Sequence, residues 1–396
     1  MSTQNPVFIP GPTNIPEELR RAIDFPSIDH RSPAFQEMLA PVLSGLKRIF
    51  MTKQGETLLF PGTGTGAWEA AVTNTLSPGD KVLAARHGMF SHRWIDLCQR
   101  QGLNVQAIEE DWGKGAPAAA FEEVLVADRN HEIRAVLVTH NETATGVRSD
   151  VAGVRRAIDA AGHPAMLFVD GVSSIASMDF RMDDWGVDIA ITGSQKGFML
   201  PAGLSILAIS PKAKLAVSSA KCPRCYFDFR DMLKLNESGG FPYTPPVSLI
   251  RGLDLSIRML ETEGLHNVFA RHFRIAEGVR QAVSAWGLKL CAKDQKLYSD
   301  TVSAILVPNG FDGTRVVTHA AEKYGVAFGV GLGEVAGKVF RIGHLGSMTD
   351  VMALSGIATA EMTMADLGFP IRIGSGVAAA QEYYRTSCGF VQTKAA

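Results

Sequence analysis

The sequence predicts an α/β fold with two parts: a large domain on a mostly parallel sheet flanked by helices, and a smaller α+β C-terminal domain. Short β-rich apolar runs alternate with helical patterns between residues 55 and 210, as expected of βαβ units whose sheet is covered on both faces. Near residue 246 apolar residues begin to recur at helical spacing. With 396 residues, 46% of them hydrophobic, the chain is long enough for two cores.

The first half of the chain supplies the strands of the large domain. Its strand candidates are the apolar runs 58–60, 81–84, 105–109, 135–139, 166–169 and 187–192. Helical patterns lie between them, for example at 67–76, 91–101 and 151–161. The run 203–210 follows the last strand too closely for a helical crossover, so we expect it to pair antiparallel.

The second half predicts longer helices and a separate small sheet. Apolar residues at helical spacing predict one helix around 249–260 and another at roughly 265–286. Strand-like runs at 302–307, 326–330 and 339–342 alternate with helices near 314–324 and 349–366, the last of which we expect to be the final helix. We therefore divide the chain into an N-terminal arm (1–15), a large domain (16–260) and a small domain (261–396).

Composition excludes several classes of partner. A net charge of -1 argues against a nucleic-acid partner, and no apolar run is long enough for a transmembrane helix. The N-terminus lacks the pattern of a signal peptide, so we expect a cytoplasmic protein.

No metal site is predicted, because Cys222 and Cys225 have C-x-x-C spacing without a second pair. The cysteines are odd in number and scattered, which indicates reduced thiols: Cys98, Cys222, Cys225, Cys291 and Cys388.

A glycine-rich turn, GTGTG at 62–66, follows one strand and opens a helix. Glycines let the backbone approach a ligand closely, and the free N–H groups of a helix N-terminus favour an anion. The turn is not a P-loop, and Glu69 stands where a dinucleotide fingerprint would need its third glycine. A phosphate monoester fits better, although a plain tight turn would also explain the glycines.

Two charged residues follow buried strands at the same edge of the sheet. Asp170 ends the run MLFVD, and Lys196 follows the run VDIAIT. Taken singly, Asp170 could cap a helix and Lys196 could be a surface residue. Together with the glycine turn they match what pyridoxal phosphate requires: a phosphate cradle, an amine for its aldehyde and a carboxylate that keeps its ring nitrogen protonated.

The chain resembles the class V (fold-type I) pyridoxal-phosphate aminotransferases, in particular the serine–glyoxylate and alanine–glyoxylate branch, and it is similar to bacterial aspartate–glyoxylate aminotransferases. The resemblance spans nearly the whole chain. Its motifs are PGPTNIP, FPGTGTGAWEAAVTNTLSPGD, VTHNETATGV, VDGVSSI, TGSQKG, PYTPPV, KVFRIGHLG and GSGVAAA.

The resemblance implies a role for each motif residue. Lys196 would bond the cofactor aldehyde, Asp170 would pair with the ring nitrogen, and Arg341 would clamp the substrate α-carboxylate with its bidentate guanidinium. Without the motif, an arginine at position 341 would be interpreted as part of a surface ion pair and Phe90 as a core residue. The other cofactor contacts would be Thr63, Gly64 and Thr65 at the phosphate, Phe90 and Val172 on the ring faces, and Gln195 and Thr143 nearby, Thr143 also serving the substrate.

The resemblance also implies a homodimer with shared active sites, since Tyr243 and Thr244 would reach the cofactor phosphate of the partner subunit. The expected activity is the conversion of glyoxylate to glycine with L-aspartate or L-serine as amino donor, by ping-pong kinetics. The alternatives are a class V enzyme of the alanine/serine–pyruvate type and, from another class, a nicotinamide-dependent oxidoreductase. A cysteine desulfurase is disfavoured, because residues 300–341 contain no cysteine.

The donor depends on whether the site holds a second cation. Aspartate carries a distal carboxylate, and we hypothesise that a basic residue near the site receives it, which would favour aspartate. Ordinary exposed basic residues are the alternative. The candidates are Arg31, His87, His92 and Arg93.

Overall fold

The structure, a computed structural model, describes residues 5–387. Its strands are β1 (Val7–Phe8), β2 (Glu56–Gly62), β3 (Lys81–Arg86), β4 (Asn104–Glu109), β5 (Ile133–Thr139), β6 (Asn141–Glu142), β7 (Val147–Arg148), β8 (Met166–Asp170), β9 (Ile189–Gly193), β10 (Gly203–Ile209), β11 (Lys289–Leu290), β12 (Val302–Leu306), β13 (Ala327–Val330) and β14 (Val339–Gly343).

The helices within residues 5–387 lie between these strands along the chain. They are α1 (Glu17–Ile23), α2 (Pro33–Ile49), α3 (Gly64–Thr75), α4 (Met89–Arg100), α5 (Ala118–Ala127), α6 (Val151–Ala160), α7 (Pro211–Ala216), α8 (Phe229–Asn236), α9 (Val247–Glu263), α10 (Leu265–Ala285), α11 (Gly313–Tyr324), α12 (Asp350–Asp366) and α13 (Ser375–Thr386).

A seven-stranded sheet forms the larger part of the fold, in the order β2-β10-β9-β8-β5-β3-β4. Only β10 runs against its neighbours β9 and β2, and the remaining pairs are parallel. The predicted α/β class and the antiparallel return of this strand are confirmed. Every residue of β8 and β9 is buried, so the residues that follow these strands lie at the edge of the core.

Helix α3 packs on β9 and β10 of this sheet, and α4 packs on β3 and β4. Trp68 of α3 stacks on Trp94 of α4, with ring centroids 5.8 Å apart. Both helices begin earlier than the apolar pattern predicts, at Gly64 and Met89. The glycine turn therefore forms the first turn of α3, and Phe90 lies in the first turn of α4.

A five-stranded sheet, in the order β1-β13-β14-β12-β11, has a second apolar core. Strand β1 pairs in parallel with β13, so residues 7–8 belong to this sheet although they lie near the start of the chain. The prediction that the helix near 349–366 is the last one is wrong, because α13 follows it. A Cβ at Gly278 of α10 would lie 2.1 Å from the Tyr384 ring of α13, which shows how closely these two helices pack.

The boundary between a large and a small domain at residue 260 stays a prediction. Within residues 5–387, no helix has both the length and the apolar character needed to cross a membrane. Over the same range, no group of three or more His, Cys, Asp or Glu side chains is arranged to hold a metal ion. Cys388 lies outside the described residues.

Candidate active site

Lys196 lies in the turn after β9. Its Nζ donates a hydrogen bond to the carbonyl oxygen of Pro10 at 2.5 Å. A Cβ on Gly11 would come within 2.5 Å of the same Nζ, so the chain passes close over the amine. Burial, with like-charge repulsion from Arg341, lowers the pKa of Lys196 to about 8. Near that pH a substantial fraction of the amine is neutral, as a nucleophile or proton carrier requires.

Asp170 ends the neighbouring strand β8 and is only 4% exposed. Its Oδ1 accepts a hydrogen bond from the Val172 N–H at 2.9 Å. Burial, with a smaller contribution from the Glu142 carboxylate, raises the pKa of Asp170 to about 7, while Lys196 opposes the rise in part. A buried carboxyl in this state is stabilised as an anion by a cationic N–H partner, such as a protonated pyridine nitrogen.

The glycine turn at the start of α3 lies close to Val172, which follows Asp170, and to Gly193, which precedes Lys196. A Cβ on Gly64 would lie 2.5 Å from Cγ2 of Val172, and a Cβ on Gly193 would lie 3.3 Å from the Gly64 nitrogen. The Thr63 carbonyl accepts a hydrogen bond from Ser205 Oγ at 2.6 Å, which ties the turn to β10. The structure thus places the predicted phosphate cradle beside the loops that follow Asp170 and precede Lys196.

Buried polar atoms at this sheet edge lack partners within residues 5–387. They are Oε1 of Gln195, Oγ1 of Thr192 and Oγ1 of Thr139, which pairs with Asp170 in the sheet register. Buried polar groups are normally hydrogen-bonded, so these atoms fit a site that receives a polar ligand. Thr63 and Thr65 are exposed beside the helix N-terminus, where they would supply hydroxyl donors to a phosphate.

Phe90 is held by a residue that the sequence analysis missed. Its N–H donates to both carboxylate oxygens of Glu142, at 3.2 and 3.1 Å, and the next N–H, of Ser91, donates to the same side chain at 3.0 Å. The Arg93 guanidinium lies 5.6 Å from the Phe90 ring centroid. Glu142 belongs to the motif VTHNETATGV, but nothing in the local pattern indicates that its carboxylate is buried.

Arg341 reaches the same site from the second sheet. It is 5% exposed, and burial lowers its pKa to about 10, so the guanidinium stays charged. Its Nε donates to the Val330 carbonyl and its Nη1 to the Thr143 carbonyl, both at 2.8 Å. The Thr143 hydroxyl in turn lies 2.7 Å from the Ser173 hydroxyl, in the loop after Asp170. The arginine is therefore buried at the site, whereas its spacing alone would suggest a surface ion pair.

Tyr243 contacts other aromatic residues of the chain, and Thr244 follows it. Tyr243 stacks on Tyr226, with ring centroids 4.4 Å apart, and donates to the Tyr226 carbonyl at 2.9 Å. Thr244 is exposed. Among the described residues neither forms a hydrogen bond with Lys196 or Asp170, and their role toward a partner subunit stays a prediction.

Of the basic residues considered for a distal carboxylate, His87 is the most buried, at 1% exposure. Burial lowers its pKa to about 4, so its ring is neutral at pH 7 and supplies no charge. Arg31 and Arg93 are exposed, and His92 is half-buried. Of the basic residues close to Lys196, Arg341 is the one that perturbs its pKa.

Comparison with known proteins agrees with this arrangement. The model of the family "Aminotransferase class-V" matches residues 26–342. The chain is 68% identical over 396 residues to an L-aspartate–glyoxylate aminotransferase of Paracoccus denitrificans (strain Pd 1222), covering 100% of both chains. It is 56% identical to a serine–glyoxylate aminotransferase of Hyphomicrobium methylovorum, over 96% of this chain and 94% of that one.

Among solved structures, a pyridoxamine–pyruvate aminotransferase from Mesorhizobium loti is 28% identical. It superposes with a TM-score of 0.90 over 97% of this chain and 98% of its own. The likeness extends through both sheets, so the fold of the whole described chain is that of an aminotransferase.

Proposed function

The chain belongs to the class-V aminotransferases, and from this premise we propose that it transfers the amino group of L-aspartate to glyoxylate, forming glycine, with pyridoxal phosphate as cofactor. The full-length likeness to an aspartate–glyoxylate enzyme supports this donor, and the serine–glyoxylate relative makes L-serine the second candidate. The family membership argues against the nicotinamide-dependent oxidoreductase. The observation that carries the proposal is that Asp170 and Lys196 lie at the ends of neighbouring strands beside the glycine turn, while Arg341 bonds the hairpin that contacts the loop after Asp170.

The described residues fit the cofactor group by group. Thr63, Gly64 and Thr65 would hold its phosphate at the start of α3, where N–H groups and hydroxyls converge. The Asp170 carboxylate would accept a hydrogen bond from the protonated ring nitrogen. The side chains around the ring would be Val172 and Phe90 on its faces, with Gln195 and Thr143 nearby. When bound, pyridoxal phosphate supplies an aldehyde that takes up the amino group and a ring that accepts electrons from the substrate α-carbon.

Lys196 would move the proton in both half-reactions. Its lowered pKa leaves a neutral amine that can remove the proton from the substrate α-carbon. The resulting ammonium would then give this proton to the cofactor carbon that carried the aldehyde. Arg341 would orient the substrate by binding the α-carboxylate, while its bonds to the Val330 and Thr143 carbonyls hold the guanidinium in place. Glyoxylate would enter the second half-reaction through the same carboxylate contact.

Absorbance of the purified protein tests the cofactor. We expect a visible band on addition of pyridoxal phosphate, an irreversible change with borohydride, and loss of at least about 1,000-fold in activity in Lys196→Ala, because the proton carrier is removed. A protein that stays colourless, or a Lys196→Ala variant with ordinary turnover, would refute the proposal.

Steady-state rates identify the substrates. Aspartate, serine, alanine and glutamate are compared as donors against glyoxylate, and pyruvate is compared with glyoxylate as acceptor. A clear preference for serine would overturn the aspartate assignment, and a preference for pyruvate would favour the alanine/serine–pyruvate type. The homodimer with shared active sites and the cytoplasmic location stay predictions from the sequence.

A further inference from the structure

The carboxylate of Glu142 is fully buried and is held by backbone N–H groups. Three residues donate to it: Phe90 and Ser91, in the first turn of α4, and Ala144 in its own hairpin at 3.2 Å. The N-cap residue of α4, Gly88, has no side chain to cap the helix. Because the first N–H groups of a helix have no partner within it, Glu142 satisfies them from a neighbouring element.

Gly88 makes room for this contact. A Cβ at position 88 would lie 2.1 Å from Cγ and 2.2 Å from Cδ of Glu142. The φ angle of Gly88 is 174°, an extended conformation open to any residue, so the need for glycine is steric. An alanine there would displace the Glu142 side chain without changing its charge.

The hairpin formed by β6 and β7, to which Glu142 belongs, also contacts the arginine expected to bind the substrate. Thr143, the next residue, accepts the Arg341 hydrogen bond on its carbonyl and lies 2.7 Å from Ser173 through its hydroxyl. Glu142 and Thr143 thus connect the helix that carries Phe90, the loop after Asp170 and the carboxylate-binding arginine.

We propose that Glu142 is a positioning residue, which fixes the start of α4 and thereby the Phe90 ring against the cofactor, while its hairpin fixes Arg341. This inference rests on the proposed function, because it assumes that Phe90 faces bound pyridoxal phosphate. Glu142 contacts no reacting atom in this scheme and acts through the residues that it holds.

The chain offers a matched control for a purely structural role. Glu361 is also buried, and it accepts hydrogen bonds from the N–H groups of Gly374 and Gly376 at the start of α13 and from Trp286 Nε1. It belongs to the second core, and its hydrogen bonds do not include Phe90 or Arg341. Loss of its charge should lower stability without altering the cofactor.

The test compares holoenzymes by visible circular dichroism of the bound cofactor, by kcat/KM for the amino donor and by melting temperature. We expect Glu142→Gln to change the visible dichroism and to lower kcat/KM on the order of 100-fold, as a shift of about 1 Å at an active site does. Gly88→Ala should do the same, and Gly88→Ala with Glu142→Ala should be no worse than Glu142→Ala alone. Glu361→Gln should lower the melting temperature but leave dichroism and kcat/KM within about twofold.

Each other outcome counts against the inference. It is overturned if Glu142→Gln only melts earlier, as Glu361→Gln does, with unchanged dichroism and kcat/KM. It is also overturned if both Glu142→Gln and Gly88→Ala fail to fold while Glu361→Gln folds, since the role would then be structural. A wild-type protein that shows no visible band with pyridoxal phosphate would refute the proposed function itself, whereas the first two outcomes leave that function intact.

Discussion

Gly64→Ala tests the close contact between the glycine turn and the loop after Asp170. The new Cβ would lie 2.5 Å from Cγ2 of Val172, where ordinary contact begins at 3.4 Å, so 0.9 Å (3.4 − 2.5) must come from rotation of the Val172 side chain or from separation of the two elements. Because Cγ1 of Val172 also lies only 3.1 Å from this position, rotation brings another methyl group close, and we expect the elements to separate. In a helix interior alanine is favoured over glycine by about 1 kcal/mol, and part of this preference offsets the strain at the first residue of α3. We therefore expect a displaced cradle in a stable protein.

The expected loss follows from that displacement. A shift of about 1 Å costs on the order of 100-fold in rate, so kcat/KM for the donor should fall by this factor while the affinity for pyridoxal phosphate weakens. The affinity is measured by titrating the visible band, and the melting temperature monitors folding. Because the clash is with Val172, adding Val172→Ala should restore most of the loss. We expect a coupling of at least about 1 kcal/mol between the two substitutions, as is typical of residues in contact.

The outcome that refutes this reasoning is additivity. If the double variant is as poor as the product of the two single variants, the steric contact does not set the position of the cradle. An undiminished affinity for pyridoxal phosphate in Gly64→Ala would likewise show that the start of α3 does not hold the phosphate.

Two further predictions concern charge. Arg341→Lys keeps the charge but loses the bidentate geometry of the guanidinium, so kcat/KM for the donor should fall about 10-fold or more, as loss of one hydrogen bond to a charged group (about 1.5–3 kcal/mol) predicts, with unchanged cofactor affinity. An equal loss with an amine that lacks an α-carboxylate would contradict it. Burial raises the pKa of Asp170 from 3.8 to about 7, so the folded cofactor-free protein binds more protons than the unfolded chain between about pH 4 and 7, and its stability should fall as the pH rises through that window. Asp170→Asn should make stability depend less on pH. Melting temperatures are measured at pH 5 and pH 8, and an equal decrease between these values in the wild-type protein and in Asp170→Asn would disprove the assignment.

Much of the candidate site was predictable because its parts are local in the chain. Asp170 ends one apolar run and Lys196 follows another, both runs are predicted as buried strands, and parallel strands bring their carboxyl ends to one edge. The glycine turn is equally local. Its helix nonetheless begins at Gly64, before the apolar pattern starts, because tertiary contacts stabilise a first turn that contains two glycines.

Other features depend on partners far away in sequence. The Phe90 and Ser91 amides that donate to Glu142 lie 52 and 51 positions away, and Thr143 meets Arg341 across 198 positions. The sequence does not predict α13, whose Tyr384 packs against Gly278 on a surface of α10 that is far away along the chain. The spacing of apolar residues within one segment does not indicate which distant residues that segment contacts.

The sequence by itself determined the α/β class, the return of β10 and the identity of the lysine, carboxylate and glycine turn, because periodicity and chemistry act over a few residues. Only the tertiary structure decided that Arg341 is buried beside Thr143, that Pro10 and Gly11 close over Lys196, and that Glu142 holds the start of α4. The physical reason is that these bonds satisfy buried polar groups, and which groups are buried together is settled when the two sheets and their helices pack.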